Sequence, residues 1–495
     1  MHNAVIQLFT GNLASKALGL FREVLTAGLL GTGQAIGAFR VAQTGTFTPV
    51  NFFTSDSLNS AFIPQYKRFI THSLDKAQTL FWSLCGIFGL LSLTIAFALW
   101  VGGLHWVSTL APGLEPEATT LAVSMLRVMA LGVPFYLMSA LLMFLGMASN
   151  DFIPMAIRPV VQNVGMIAGV LLAFLMRDML LLAWGFTASY IAFSIWVLVR
   201  CLRSGYLSFP DRWDWPQVRE VVHAFWSTLR PLLLLPVMLQ GNIIVERAVA
   251  SLIGLVAISA LDYARFVSET LILLVSVPVA FAGLAHWSGL RGDEVRRRLN
   301  RVLLLMLVVA VPASVFLAVH AHIVVDVIYA RGAFDAESVR VTGDILFGIA
   351  AGLWAQVIGY VLIKALNAQM RNNAVVWVMA AALVANIAVN LTIYPYLGAM
   401  TLGLGNSLYG LVLLAGALTA LGLWKDAAKG GGMMALGTAG YLLLDHLLPL
   451  PSGAWRSLAA ASVFALIYWM AWIALVPLLR NAVIEATAPR MRRKH

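Results

Sequence analysis

The chain has 495 residues, of which 60% are hydrophobic and only 11% are charged. A soluble domain carries about 25% charged residues, so this composition excludes a mainly water-soluble protein and indicates an integral membrane protein with many spans. The formal net charge is +11. Basic residues of membrane proteins collect in cytoplasmic loops, so we use this charge first to predict the orientation of the chain in the membrane.

Long apolar runs, cut at charge clusters and at Pro/Gly breaks, predict the spans. They cover residues 4–30, 34–64, 80–104, 119–148, 153–176, 179–200, 222–250, 254–287, 302–322, 340–366, 373–395, 400–424, 433–450 and 456–479. We therefore predict an all-α polytopic membrane protein with fourteen transmembrane helices. The even number puts both termini on the same side.

The loop charges predict the orientation. Among the basic residues of loops and tails, all but Arg177, Arg331 and Arg456 fall on one alternating set, which includes Arg158 and the C-terminal RMRRKH. Because cytoplasmic loops are enriched in Lys and Arg, both termini are expected in the cytoplasm. The basic tail either anchors this topology or binds lipid headgroups.

The largest loop on the cytoplasmic side divides the chain. It contains FPDRWDWPQ and forms a linker over 204–221, between an N-terminal lobe of six helices (1–203) and a C-terminal lobe of six helices (222–424). Residues 425–495 hold two further helices and the basic tail. Two six-helix halves are a common transporter plan, with the substrate site between the halves.

Several charges remain inside predicted spans. The first span carries Lys16, Arg22 and Glu23, the second carries Arg40, and the eighth carries Asp262, Arg265 and Glu269 with i, i+3, i+7 spacing; Arg127 and Asp56 lie at comparable depth. Such residues must face protein or a water-filled cavity. Two interpretations remain: a buried ion-pair network, or a hydrated cavity whose excess of cations suits a phosphate-bearing substrate.

A second polar set combines Glu246 with Asn386 and Asn390. Oxygen ligands of this kind can hold a small hard cation, whereas asparagines alone can form hydrogen bonds between helices. The chain has no GxxxxGK[ST], HExxH or CxxC motif, so we expect no ATP hydrolysis, no catalytic centre, no firm metal site and no cofactor other than Na⁺ or H⁺ as a coupling ion.

Six stretches occur in the order of a known family. They are SKALGLFRE (15–23), SLNSAFIPQYKRF (57–69), APGL (111–114), NDFIPMAIRPVVQNVGMI (150–167), YARGAFDAES (329–338) and GAMTLGLGNSL (398–408). Together they resemble the MurJ (MviN) lipid II flippase family, within the multidrug/oligosaccharidyl-lipid/polysaccharide exporter superfamily.

The resemblance implies two pseudo-symmetric six-helix lobes plus two C-terminal helices that form a lipid-facing groove. It also implies a flippase of the bacterial inner membrane, which moves a polyprenyl-diphosphate-linked saccharide to the outer leaflet by alternating access. The drive would be the membrane potential or a cation gradient. Arg22 and Glu23 match the family's Arg-acidic pair, and Lys16 matches its upstream basic position. Substrate contact by Arg22 and Arg265 would follow, with Lys16 and Arg40 adding positive field.

The chain departs from the family pattern at proposed substrate-contact positions. Val50 and Asn51 stand where the family carries an arginine pair, Gly37 replaces an acidic residue, and Arg265 is displaced by one place. The cargo is therefore either lipid II or a related glycan such as an exopolysaccharide repeat unit, and the partners include glycosyltransferases or polymerases of that pathway. The alternatives are a cation-coupled exporter of small amphiphiles and, disfavoured by the short outer loops, an enzyme acting on lipid-linked sugars.

Overall fold

The computed structural model describes residues 2–54, 56–211, 213–287 and 293–487. These residues form nineteen α-helices and no strand, so the all-α prediction is confirmed. Among them, nine helices are long and apolar enough to cross a membrane, and the number of candidate spans rises to eleven if each of two bent pairs is one span. The chain is thus a multi-pass membrane protein. The predicted basic tail from Arg490 lies outside the described residues.

The helices belong to two compact units. The first unit comprises residues 1–259 and 331–335. Its helices are α1 (His2–Leu30), α2 (Gln34–Thr54), α3 (Asp56–His72), α4 (Leu74–Leu110), α5 (Pro116–Ala130), α6 (Val133–Ala148), α7 (Ile153–Met176), α8 (Leu180–Arg203), α9 (Trp215–Leu229), α10 (Leu234–Ile253) and the first turn of α11 (Leu255–Trp287).

The second unit contains the remainder of α11 and eight further helices. These are α12 (Asp293–Val319), α13 (Ala321–Tyr329), α14 (Ala336–Ala368), α15 (Asn372–Leu397), α16 (Met400–Leu421), α17 (Trp424–His446), α18 (Ala454–Leu475) and α19 (Pro477–Thr487). Helix α14 packs along α16 through small residues. The Ser407 hydroxyl accepts a hydrogen bond from the Gly352 amide at 2.6 Å, and this close approach needs a residue without a side chain.

Proline sets the start of several helices. Pro116, Pro154 and Pro216 lie in the first turns of α5, α7 and α9, where a missing amide hydrogen costs nothing because no intrahelical acceptor faces it. Helix α4 instead begins after Ser73, whose hydroxyl accepts from the Lys76 amide at 3.4 Å. These local signals place the helix ends independently of hydropathy.

The structure corrects three sequence predictions about helix continuity. The predicted single spans 119–148 and 222–250 are bent pairs: α5 and α6 meet at 44°, and the segment 215–232 meets α10 at 49°. Pro134 and Pro231 lie at these breaks, where proline removes a backbone donor. Between the predicted spans 302–322 and 340–366 lie most of a further helix, α13, and the start of α14.

Residues 331–335, within the YARGAFDAES stretch, belong to the first unit. The Ala333 amide donates a hydrogen bond to the Gly28 carbonyl near the end of α1, at 2.8 Å. Gly332 has a φ of 59°, and a Cβ atom there would collide with the same carbonyl. Only glycine fits both conditions, so this motif is a structural anchor for α1.

The asparagines of α15 form one buried pair against α16. Asn390 donates from Nδ2 to Oδ1 of Asn386 at 2.7 Å, and both side chains are fully enclosed. Gly405 of α16 faces them, and a Cβ atom at Gly405 would lie 2.8 Å from Asn390 Nδ2 and closer still to Asn386. The pair therefore fixes the contact between α15 and α16.

Gly405→Ala should lower the free energy of unfolding by about 1–3 kcal/mol, because the added methyl forces the buried asparagines apart. Thermal unfolding of the purified protein in detergent measures this change. Gly431→Ala is the matched control, since a Cβ at that helical glycine meets nothing within 4 Å. Equal unfolding midpoints for the two variants would contradict the assigned contact.

Candidate functional site

Glu23 of α1 is shared by two arginines. One carboxylate oxygen accepts from Arg22, and the other accepts from Arg40 Nη2 of α2 at 2.5 Å. The Glu23 and Arg40 side chains are only 3% and 6% exposed, so their charges are enclosed and depend on each other. A single carboxylate is thus shared by two guanidinium groups.

Arg22 extends from this pair to α7. Its Nη1 donates to Asn163 Oδ1 at 2.9 Å and lies 3.3 Å from the Met166 sulfur. Asn163 in turn donates from Nδ2 to the Ser15 backbone carbonyl of α1 at 3.1 Å. We name Arg22, Glu23, Arg40 and Asn163 the α1–α7 cluster.

The α1–α7 cluster is built by helical spacing. Asn163 and Met166 are three residues apart, so both lie on the face of α7 that meets α1. Arg22 keeps 18% of its side chain exposed, three times the fraction of Arg40. A guanidinium with residual exposure and a neutral amide partner can accept an anionic ligand, whereas Arg40 serves chiefly to hold Glu23.

Lys16 lies six residues before Arg22 on α1 and is half-buried. That spacing places it about 9 Å from Arg22 along the helix axis. That Lys16 adds positive charge to a substrate cavity stays a prediction.

The second unit carries the predicted α11 set. Asp262 and Arg265 are half-buried, and Glu269 is exposed. Tyr263 beside them is fully buried, and its carbonyl accepts from the Tyr329 hydroxyl at 3.2 Å. Each charged residue takes part in polar or electrostatic interactions. Substrate contact by this set stays a prediction.

The candidate ion ligands belong to different units. Glu246 is buried on α10 of the first unit, while Asn386 and Asn390 are buried on α15 of the second. The Asn390 Oδ1 atom is enclosed and lacks a hydrogen-bond donor among the described residues. It remains the one atom of the asparagine pair that could accept from a ligand.

Two other arginines, Arg127 and Arg247, donate hydrogen bonds to backbone carbonyls. Arg127 is exposed on α5 and donates from Nε to the Trp100 carbonyl at 3.3 Å, so its hydrogen bond lies outside the α1–α7 cluster. Arg247 is buried and donates to the Ile258 carbonyl at 2.7 Å, which ties α10 to the first turn of α11. Neither guanidinium extends the α1–α7 cluster.

Sequence reasoning missed Arg158, which it assigned to a cytoplasmic loop. Helix α7 begins at Ile153, so Arg158 lies in its second turn, with the guanidinium carbon 4.4 Å from the centre of the Tyr136 ring. It also missed Asn163. The stretch 150–167 held the available signal, since three polar side chains, Arg158, Gln162 and Asn163, interrupt an otherwise apolar helix there.

The sequence matches known proteins over most of its length. A family model described as Lipid II flippase MurJ matches residues 26–443. The probable lipid II flippase MurJ of Rhizobium tropici is 27% identical over 422 residues, covering 80% of this chain and 76% of the relative. The corresponding protein of Haemophilus influenzae is 22% identical over 498 residues, covering 93% and 94%.

Solved structures share the fold. A lipid II flippase MurJ in an inward closed conformation aligns with a TM-score of 0.85 and 19% identity, covering 97% of this chain and 100% of that one. An inward-facing multidrug resistance MATE family transporter of the MOP superfamily aligns with a TM-score of 0.62 and 13% identity, covering 88% and 98%. At these identities the likeness concerns the arrangement of helices alone.

Proposed function

Because this chain belongs to the Lipid II flippase MurJ family, we propose that it is a flippase for a polyprenyl-diphosphate-linked saccharide. The observation that carries the proposal is the α1–α7 cluster, in which the partly exposed Arg22 and the enclosed Arg40 share the Glu23 carboxylate. Guanidinium groups bind phosphate oxygens through paired hydrogen bonds, which suits a diphosphate. Lipid II is the first cargo to test, and an exopolysaccharide repeat unit on the same carrier is the second.

An apolar groove in the second unit supports a lipid-linked cargo. It lies between α12 and α18 and has a volume of about 450 Å³. Its walls include Val309, Pro312 and Phe316 on one side and Ala465 and Met470 on the other. A polyprenyl tail is a flexible hydrocarbon, so this surface can cover part of the tail while the headgroup is bound elsewhere.

We propose that the chain spans the membrane fourteen times, with both termini in the cytoplasm of a bacterium. Eleven spans follow from the candidates with each bent pair counted once. Helices α1, α2 and α17 add three, since their 29, 21 and 23 residues are long enough to cross a bilayer core of about 30 Å.

Transport is proposed to proceed by alternating access, driven by the membrane potential or by a Na⁺ or H⁺ gradient. Glu246, Asn386 and Asn390 stay the candidate ligands for the ion. The enclosed Asn390 Oδ1 atom supports an oxygen ligand at this position of α15. No catalytic step is part of the proposal.

A cation-coupled exporter of small amphiphiles is the competing function, because MATE transporters share the fold. We expect an exporter of cationic substrates to have an acidic cavity. The two guanidinium groups that share Glu23 favour an anionic headgroup instead.

The full chain, reconstituted in vesicles with fluorescent lipid II, should move the lipid between leaflets faster than vesicles without protein. The moved fraction is measured with a membrane-impermeant quencher. An undecaprenyl-diphosphate oligosaccharide without peptide tests the second cargo, and a phosphatidylcholine analogue controls for unspecific scrambling. Background rates for both diphosphate lipids would contradict the proposal.

A further inference from the structure

Arg158 stands apart from the other interior cations by its partners. Its guanidinium lies over the Tyr136 ring, and Tyr190 is within hydrogen-bonding reach of the same group. Within the described part of the chain it forms no ion pair with a carboxylate. Neutral tyrosine side chains hold this guanidinium without cancelling its charge, so an anion can still pair with it.

The surroundings of Arg158 adjoin the α1–α7 cluster. Arg158 precedes Asn163 by five residues, which is about 7.5 Å along the axis of α7. Tyr190 lies within electrostatic range of both Arg158 and Arg22. Arg22 and Arg158 therefore both lie near Tyr190. Among the described residues, no carboxylate is paired with Arg158.

The Tyr136 side chain links Arg158 to α2. Its hydroxyl donates to Asn51 Oδ1 at 2.9 Å, while its ring lies beneath the guanidinium. Val50 and Asn51 on this part of α2 are both uncharged. Arg158 thus presents a positive charge from α7 close to the part of α2 that lacks one.

We propose that Arg158 contacts the diphosphate of the cargo and supplies, from α7, the cation that positions 50 and 51 do not carry. The inference rests on the proposed flippase function. Arg22 of α1 and Arg158 of α7 would bind the same headgroup. Tyr136 and Tyr190 would hold the Arg158 guanidinium in place without neutralising it.

Arg158→Gln should reduce the transport of lipid II in vesicles, and its affinity in detergent, by about tenfold, because a charge-assisted contact to phosphate is lost. Adding Asn51→Arg to Arg158→Gln should restore a large part of both, since the new guanidinium starts from the α2 residue that Tyr136 already contacts. Arg158→Lys should give an intermediate value, because charge is kept but paired hydrogen bonding is lost.

Lys364→Gln is the matched control, since Lys364 lies 5.4 Å from the Tyr360 ring in the second unit and has no assigned contact with cargo. Wild-type transport by Arg158→Gln would overturn the inference while leaving the flippase assignment intact. Absence of lipid transport by the unmodified chain would instead overturn the assignment. If Arg158→Gln fails to fold, Arg158→Lys decides: an affinity equal to that of the wild type would overturn the inference.

Discussion

Arg22→Ala should reduce transport of the polyprenyl-diphosphate lipid by about 100-fold. The change removes a partly exposed guanidinium that can form two charge-assisted hydrogen bonds to phosphate, each worth about 1.5–3 kcal/mol. Glu23 retains Arg40 as its partner, and Asn163 retains Ser15, so the helices should stay packed. Vesicle transport, together with the unfolding midpoint of the same preparation, measures both effects.

Arg127→Ala is the control for this result, because Arg127 is an exposed arginine of α5 that donates only to a backbone carbonyl. It should transport at the wild-type rate. Arg265→Ala tests the sequence-derived prediction for the second unit and should resemble Arg22→Ala. Near-normal transport by Arg22→Ala, in folded protein, would remove the basis for the assigned headgroup site.

Glu23→Ala should destabilise the first unit by about 3–5 kcal/mol, because the nearly enclosed Arg40 would lose the carboxylate with which it forms an ion pair. Thermal unfolding in detergent measures the loss. The effect should exceed that of any exposed ion pair in the chain. Glu337→Ala, which breaks the exposed pair with Arg340, should cost less than about 1 kcal/mol.

A second change separates charge from packing. Arg40→Met in the Glu23→Ala background should recover most of the lost stability, since an apolar side chain of similar length needs no counter-ion. An unchanged unfolding midpoint for Glu23→Ala alone would mean that Arg40 finds another anion or that water reaches it.

The charged first helix could be predicted from the sequence, because three charges in a long apolar run leave only an interior or cavity-facing position. Sequence spacing also anticipated that Asn386 and Asn390 share a face of one helix. The partners could not be predicted. Arg22 meets Asn163 across 141 positions of chain, and no local pattern specifies that contact.

Other features depended on backbone geometry that hydropathy does not record. Runs 119–148 and 222–250 are apolar throughout, yet each contains a bend of more than 40°. Arg158 was assigned to a loop because basic residues near span ends usually mark cytoplasmic segments. It lies inside α7, which begins where the predicted span 153–176 begins, and its guanidinium packs against Tyr136.

Equilibrium binding of undecaprenyl diphosphate to the detergent-purified chain is the most direct test of a diphosphate site at Arg22. Undecaprenol is the uncharged reference. The diphosphate should bind at least about tenfold more tightly than the alcohol, and Arg22→Ala should abolish this preference. Equal affinities of the unmodified chain for the two lipids, or a preference unchanged in Arg22→Ala, would contradict a diphosphate site at Arg22.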